Sequence, residues 1–219
     1  MIYFSPDFLQ FFKELAANNN KEWFDAHRKR YEIGVKKSME VFVADALKAL
    51  YKNVDVKPGE CIFRINRDIR FSKDKTPYKL HASAVISNRG KKVEEVGGIY
   101  VELGPEKLAL GGGAYQPDKE ALLDIRDAIA AKPKEWLNAL NHPDFKKYWG
   151  EIKGERNKVL PAEYKMLLKE VPTIANKQFY YWTELDPQII VSDKLMDTVL
   201  EHYHAATAVR QFLERATSG

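Results

Sequence analysis

A single cysteine, Cys61, stands in a chain of 219 residues, so no disulfide can close within it. There is no C-x-x-C pair and no Cys/His spacing suited to a structural zinc site. That usage points to a reducing compartment, and the cytoplasm is the expected location. No stretch approaches the ~20 consecutive apolar residues needed to cross a bilayer. The opening Met1-Ile2-Tyr3-Phe4-Ser5-Pro6 lacks the basic and apolar runs of an export signal, so no membrane partner is expected. Walker, G-x-G-x-x-G and G-x-S-x-G sequences are also missing, and no residue pattern calls for a cofactor or a metal. His202 and His204 are two apart on a predicted helix, about 200° around its axis, and cannot share an ion.

Net charge is small over the whole chain but not locally. The formal net charge is only +4, yet residues 61–92 carry nine Lys/Arg against two acids, a local balance of +7 that leaves −3 for the remainder. Positive charge focused in this way attracts anions.

The pattern along the chain predicts one α+β domain spanning residues 1–219. Ser5-Pro6-Asp7 opens a short helix with Phe8, Phe11, Phe12 and Leu15 on one face. After Asn18-Asn19-Asn20, a long second helix carries Phe24, His27, Tyr31, Val35, Met39 and Phe42 at three- and four-residue steps. The two make a helical hairpin over a core. Because neighbours diverge by about 100° around a helix, Phe24 should lie deeper than Trp23.

From Cys61 the period becomes two, and about five antiparallel strands follow: 61–71, 80–87, 98–103, one beginning at Leu108, and 178–182. Further helices are expected from Pro117-Asp118 and, capped by Ser192-Asp193, through Arg215.

On the first strand Arg64, Asn66, Asp68 and Arg70 share the wet face, while Phe63, Ile65, Ile69 and Phe71 share the apolar one. Arg67 falls on the apolar side, so it should be mostly buried and paired, since an unpartnered charge there would be prohibitive. Arg64 and Arg70 lie on the wet face with Asp68 between them, and same-face neighbours are roughly 7 Å apart, a spacing suited to one small anion or to adjacent phosphates. The strand after the turn, Leu80-His81-Ala82-Ser83-Ala84-Val85, offers no acids to neutralise them, although Glu94, Glu95 or Glu102 could.

The run Asp74-Lys75-Thr76-Pro77-Tyr78 reads as a rigid turn, placing Tyr78 and His81 just beyond it. The candidate ligand-binding residues are therefore Arg64, Arg70, Lys75 and Lys79, with Asp68, Tyr78 and His81 able to move protons if there is catalysis. Gly112 and Gly113 lie before a helix, where backbone N–H groups could meet a phosphate, but Asp118 in the first turn would repel an anion, and close packing or a bulge is the better account of the glycines.

The run Arg64-x-x-Arg67-Asp68-x-Arg70-Phe71-x-x-Asp74-Lys75-x-x-Tyr78 resembles the signature of a bacterial and fungal family catalogued as domain of unknown function 2461. The resemblance extends to Asn18-Asn19-x-x-Glu22-Trp23-Phe24, Tyr31-Glu32, Gly111-Gly112-Gly113 and Ala175-Asn176-Lys177-Gln178-Phe179, so it covers nearly the whole chain. It implies one structural unit of about this length and brings no activity with it.

Three functions compete on this reading. The first is binding or processing of a small anionic, phosphorylated ligand at the Arg/Lys-rich face. The second is a structural or interaction protein whose charges meet acids of its own fold. The third is a nucleic-acid-binding module that adds Arg28, Lys29, Lys36 and Lys37 of the long helix as phosphate contacts.

Overall fold

The computed structural model describes residues 1–91 and 96–218. It is an α+β protein with one antiparallel four-stranded sheet: β1 (Ala82–Ile86), β2 (Ile99–Leu103), β3 (Leu108–Ala114) and β4 (Phe179–Leu185), each beside its neighbour in sequence. The chain divides into two compact units. One comprises Met1–Lys91, Tyr100–Leu110 and Glu184–Leu200; the other comprises the described parts of Lys92–Ile99, Gly111–Thr183 and Glu201–Gly219.

In the first unit α1 (Pro6–Ala17) buries Phe8, Leu9, Phe11, Phe12 and Leu15, as its periodicity requires. Ser5 precedes it, but its side chain makes no capping bond; its backbone carbonyl accepts from the Phe8 N–H at 2.9 Å. Asn20 does cap α2 (Lys21–Ala26), accepting from the Trp23 N–H at 2.9 Å.

The expected long helix is interrupted. It breaks after Ala26 and resumes as α3 (Arg28–Tyr31), a π-helical stretch (Glu32–Lys37) and α4 (Ser38–Leu50). Arg30 ties the hairpin, reaching Asp7 at 2.7 Å and Glu14 at 2.5 Å on α1. Phe24 is buried and Trp23 only half-buried, stacked on His27 with ring centroids 4.0 Å apart.

The sheet has four strands because the segment after Cys61 is not one. A single helical turn, α5 (Pro58–Cys61), comes first, and isolated bridges then pair Ile62 with Ala84 and Asn66 with Tyr78. Between those bridges four steps of chain face six, so the ladder cannot run continuously and β1 starts only at Ala82. The two-residue alternation of burial survives through Arg70, with Ile65 buried and Arg64, Asn66, Asp68 and Arg70 exposed. It fails at Phe71, which has turned away from any core and is 96% exposed.

In the second unit α6 (Lys119–Ala131) begins at Asp118, whose carboxylate accepts from the Ala121 N–H at 2.8 Å. The helices α7 (Pro133–Leu140) and α8 (Pro143–Trp149) follow, then the single turn α9 (Ala162–Lys165). The core here is aromatic: Trp136 meets Phe179 and Phe212, and Trp149 and Phe145 meet Tyr181. The C-terminal helical run is two helices, α10 (Leu195–Ala205) and α11 (Thr207–Ala216). Among the described residues no helix is long and apolar enough to cross a membrane.

Candidate functional site

Ionic geometry sorts the arginines of residues 64–79 into three states. Arg67 is paired, though its side chain remains 26% exposed and so is less buried than its register predicts. Its guanidinium donates to the Asp74 carboxylate, to the Thr76 hydroxyl and, at 3.1 Å, to the Thr76 carbonyl.

Asp74 also accepts from the Thr76 N–H at 2.9 Å and the Thr76 hydroxyl at 2.8 Å. The aspartate thus accepts a backbone N–H bond within the Asp74–Tyr78 run. The Thr76 N–H and hydroxyl, with the Arg67 guanidinium, hold the Asp74 carboxyl down to about 2.

Arg70 is neutralised by the residue two positions earlier. Its Nε donates to Asp68 at 3.0 Å and its Nη2 at 2.7 Å, a fork on a side chain that is 76% exposed. The Arg70 guanidinium in turn holds the Asp68 carboxyl below the usual range. The ammonium of Lys75 donates to the Ile69 carbonyl at 3.0 Å.

Arg64 is the third case. It is exposed and has no hydrogen bond or ion pair among the described residues. Glu94 and Glu95, which the sequence offers as partners, lie outside the described residues.

Lys79 is half-buried. Its ammonium lies 5.3 Å from the centroid of the Phe63 ring, with no carboxylate partner among the described residues. Burial first, then the charges of Arg64 and Lys91, pushes its amine below the ordinary lysine value, and only Glu102 opposes them. The Lys91 ammonium donates to the Ile62 carbonyl at 2.8 Å.

Tyr78, by contrast, belongs to the core. It is 6% exposed, its ring stacks on Phe24 at 4.1 Å, and Asn19 grips its backbone with bonds of 2.9 and 3.1 Å.

His81 lines an open cleft of about 330 Å³ together with Lys13, Leu80, Glu102, Pro105 and Lys107, among others. Its Nε2 lies 3.6 Å from the Glu102 carboxylate, and that carboxylate accepts from the Tyr100 hydroxyl at 3.0 Å. Burial lowers the imidazole pKa, and the charges of Lys79 and Lys107 lower it further against the pull of Glu102. The ring is therefore poised as a neutral base near pH 7.

Lys107 itself is paired with Glu184. Tyr100 and Glu102 were legible as two residues on one face of β2. What the sequence did not disclose is that this face meets His81.

The glycines of β3 lie against β4. A side chain on Gly111 would come within 2.6 Å of the Trp182 ring, and one on Gly112 within 2.6 Å of the Tyr181 hydroxyl. Gly113, at φ +90°, leaves only 2.3 Å from an added Cβ to the Phe179 carbonyl oxygen. These positions admit β4, and the helix that follows begins four residues beyond the strand, with Asp118 filling its N-terminus.

His202 is buried and His204 exposed, and among the described residues no group of acids, histidines or cysteine could hold a metal ion. Cys61 is buried, which raises its thiol pKa.

No curated protein and no solved structure matches this chain. The family model described as conserved hypothetical protein (DUF2461) matches residues 7–212, and the chain belongs to that family.

Proposed function

We propose that the protein binds a small anionic ligand, of the phosphate-bearing class, at a site centred on Arg64 and Lys79. The observation that carries this reading is a group of like charges in which, among the described residues, no carboxylate is in ion-pair contact with Arg64 or Lys79. Burial first, and then the charges of Arg64 and Lys91 against that of Glu102, lower the pKa of the half-buried Lys79 amine, and neither Arg64 nor Lys79 is ion-paired with a carboxylate among the described residues. Such repulsion costs stability in the free protein, and an entering anion converts it into attraction.

The neighbouring arginines support the same reading by contrast. Arg67 and Arg70 are answered by Asp74 and Asp68, acids of the same segment, so the fold supplies partners where it needs them.

Thermal-shift titration with inorganic phosphate, sulfate and a nucleoside monophosphate tests this. A Tm that rises with anion concentration in the parent and stays flat in Arg64→Gln/Lys79→Gln is the expected outcome. A parent that responds to no anion sinks the proposal.

A further inference from the structure

One carboxylate of the first unit is mostly buried and poorly answered. The Glu102 side chain, on β2, is 17% exposed, and among the described residues it accepts a single hydrogen bond, from the Tyr100 hydroxyl to its Oε2 at 3.0 Å. The His81 Nε2 stands 3.6 Å from the same oxygen, too far for a hydrogen bond. Glu102 Oε1 thus has no donor among the described residues, and the side chain opens onto the cleft of about 330 Å³. A carboxylate withdrawn from bulk water with most of its acceptor positions unfilled suits a ligand that brings N–H donors and positive charge.

The rest of the lining narrows the ligand. Lys107 is already paired with Glu184, whereas neither Lys13, on α1, nor Glu106, in the β2–β3 turn, has an ion-pair partner among the described residues. The charges left over are therefore Glu102 and Glu106 against Lys13, a balance that disfavours a phosphate and favours a molecule carrying both signs. Apolar surface comes from Pro105 and from Leu80, which is 40% exposed.

We infer that this cleft is a second binding site, for a small molecule that carries an ammonium and a carboxylate beside a hydrocarbon group, the class of the aliphatic amino acids. The ammonium donates to Glu102, the carboxylate meets Lys13, and the hydrocarbon lies on Leu80 and Pro105. The volume is at the small end of ligand clefts, which run from ~300 to ~1,000 Å³. Neither Arg64 nor Lys79 lines the cleft, so this site is independent of the anion site.

Thermal-shift titration of the intact protein with free leucine, valine and alanine tests this, beside isoamylamine, which lacks the carboxylate of leucine, and isocaproate, which lacks its ammonium. At least leucine should raise the Tm in a saturable way, isoamylamine should do so more weakly and isocaproate not at all. Glu102→Gln keeps the shape and removes the charge, and should weaken leucine binding roughly tenfold or more. Lys13→Gln, at an exposed position, should weaken it about fivefold, to the level of isoamylamine. The leucine response should persist in Arg64→Gln/Lys79→Gln, the variant that loses the response to phosphate.

A parent that responds to none of the three amino acids, or equally to leucine and isocaproate, overturns the inference. So does a Lys13→Gln protein whose response to leucine is unchanged, or loss of that response in Arg64→Gln/Lys79→Gln.

Discussion

Arg126 and Arg64 each lack a carboxylate partner among the described residues, and they teach opposite lessons. Arg126, on α6, is 4% exposed; its Nε donates to the Ile174 carbonyl at 3.1 Å and its Nη2 to the Asn176 carbonyl at 2.9 Å. Burial lowers its pKa, yet the two carbonyls, at the end of a 3-10 turn (Pro172–Ala175) and just past it, need donors that only a forked side chain supplies. Arg64 is exposed and donates to nothing comparable. The first charge is a component of the fold, and the second is left over from it. Absence of a counter-ion therefore means little until one asks which backbone groups would be orphaned by removing the charge.

Substitution of Arg126 should have the largest effect. Arg126→Met strands two carbonyls where water has little access and should cost about 3 kcal/mol in urea unfolding, with Arg126→Lys recovering only part because one ammonium cannot reproduce the fork. Retention of full stability in Arg126→Met would break the comparison.

Arg67→Met should lower the urea midpoint by less. Its partner Asp74 is 59% exposed in its side chain and can return to water, while the Asp74–Thr76 bonds remain.

The pH dependence of stability should follow next. The His81 imidazole pKa is lower in the folded state than its unfolded value of ~6.5, so the unfolded chain takes up a proton first. Stability is complete above ~6.5 and falls as pH drops through the folded value; His81→Gln should flatten that limb. Asp74 adds a second loss lower down, between its ordinary ~3.9 and about 2.

The smallest effect on stability belongs to Arg64→Gln, expected within ~0.5 kcal/mol of the parent. The same variant should lose most of the Tm response to phosphate. A large destabilisation with no change in anion response would place Arg64 with Arg126 as a structural charge.

The sequence made much of this legible. The spacing of Phe8, Phe11, Phe12 and Leu15 gave α1, Asn20 and Asp118 announced their caps, and alternation located β1 to β4 within a few residues. It also put Arg64 and Arg70 on the exposed face. It overextended the segment after Cys61, because alternation reports which face is wet and carries no information on whether the partner chain keeps step. Between Ile62 and Asn66 the partner takes two extra steps, and the strand dissolves into separate bridges.

Local chemistry was thus fixed by the order of residues: a carboxylate two positions from Arg70, another at the start of the Asp74–Thr76 turn, and a proline that holds the turn. Such bonds span few residues and require little else. The meeting of His81 with Glu102, the burial of Tyr78 against Phe24 and the lack of an ion-paired carboxylate at Arg64 and Lys79 among the described residues are decisions of the tertiary structure. Each depends on which distant segments arrive at one place, and a charge acquires its meaning from the groups that surround it in space.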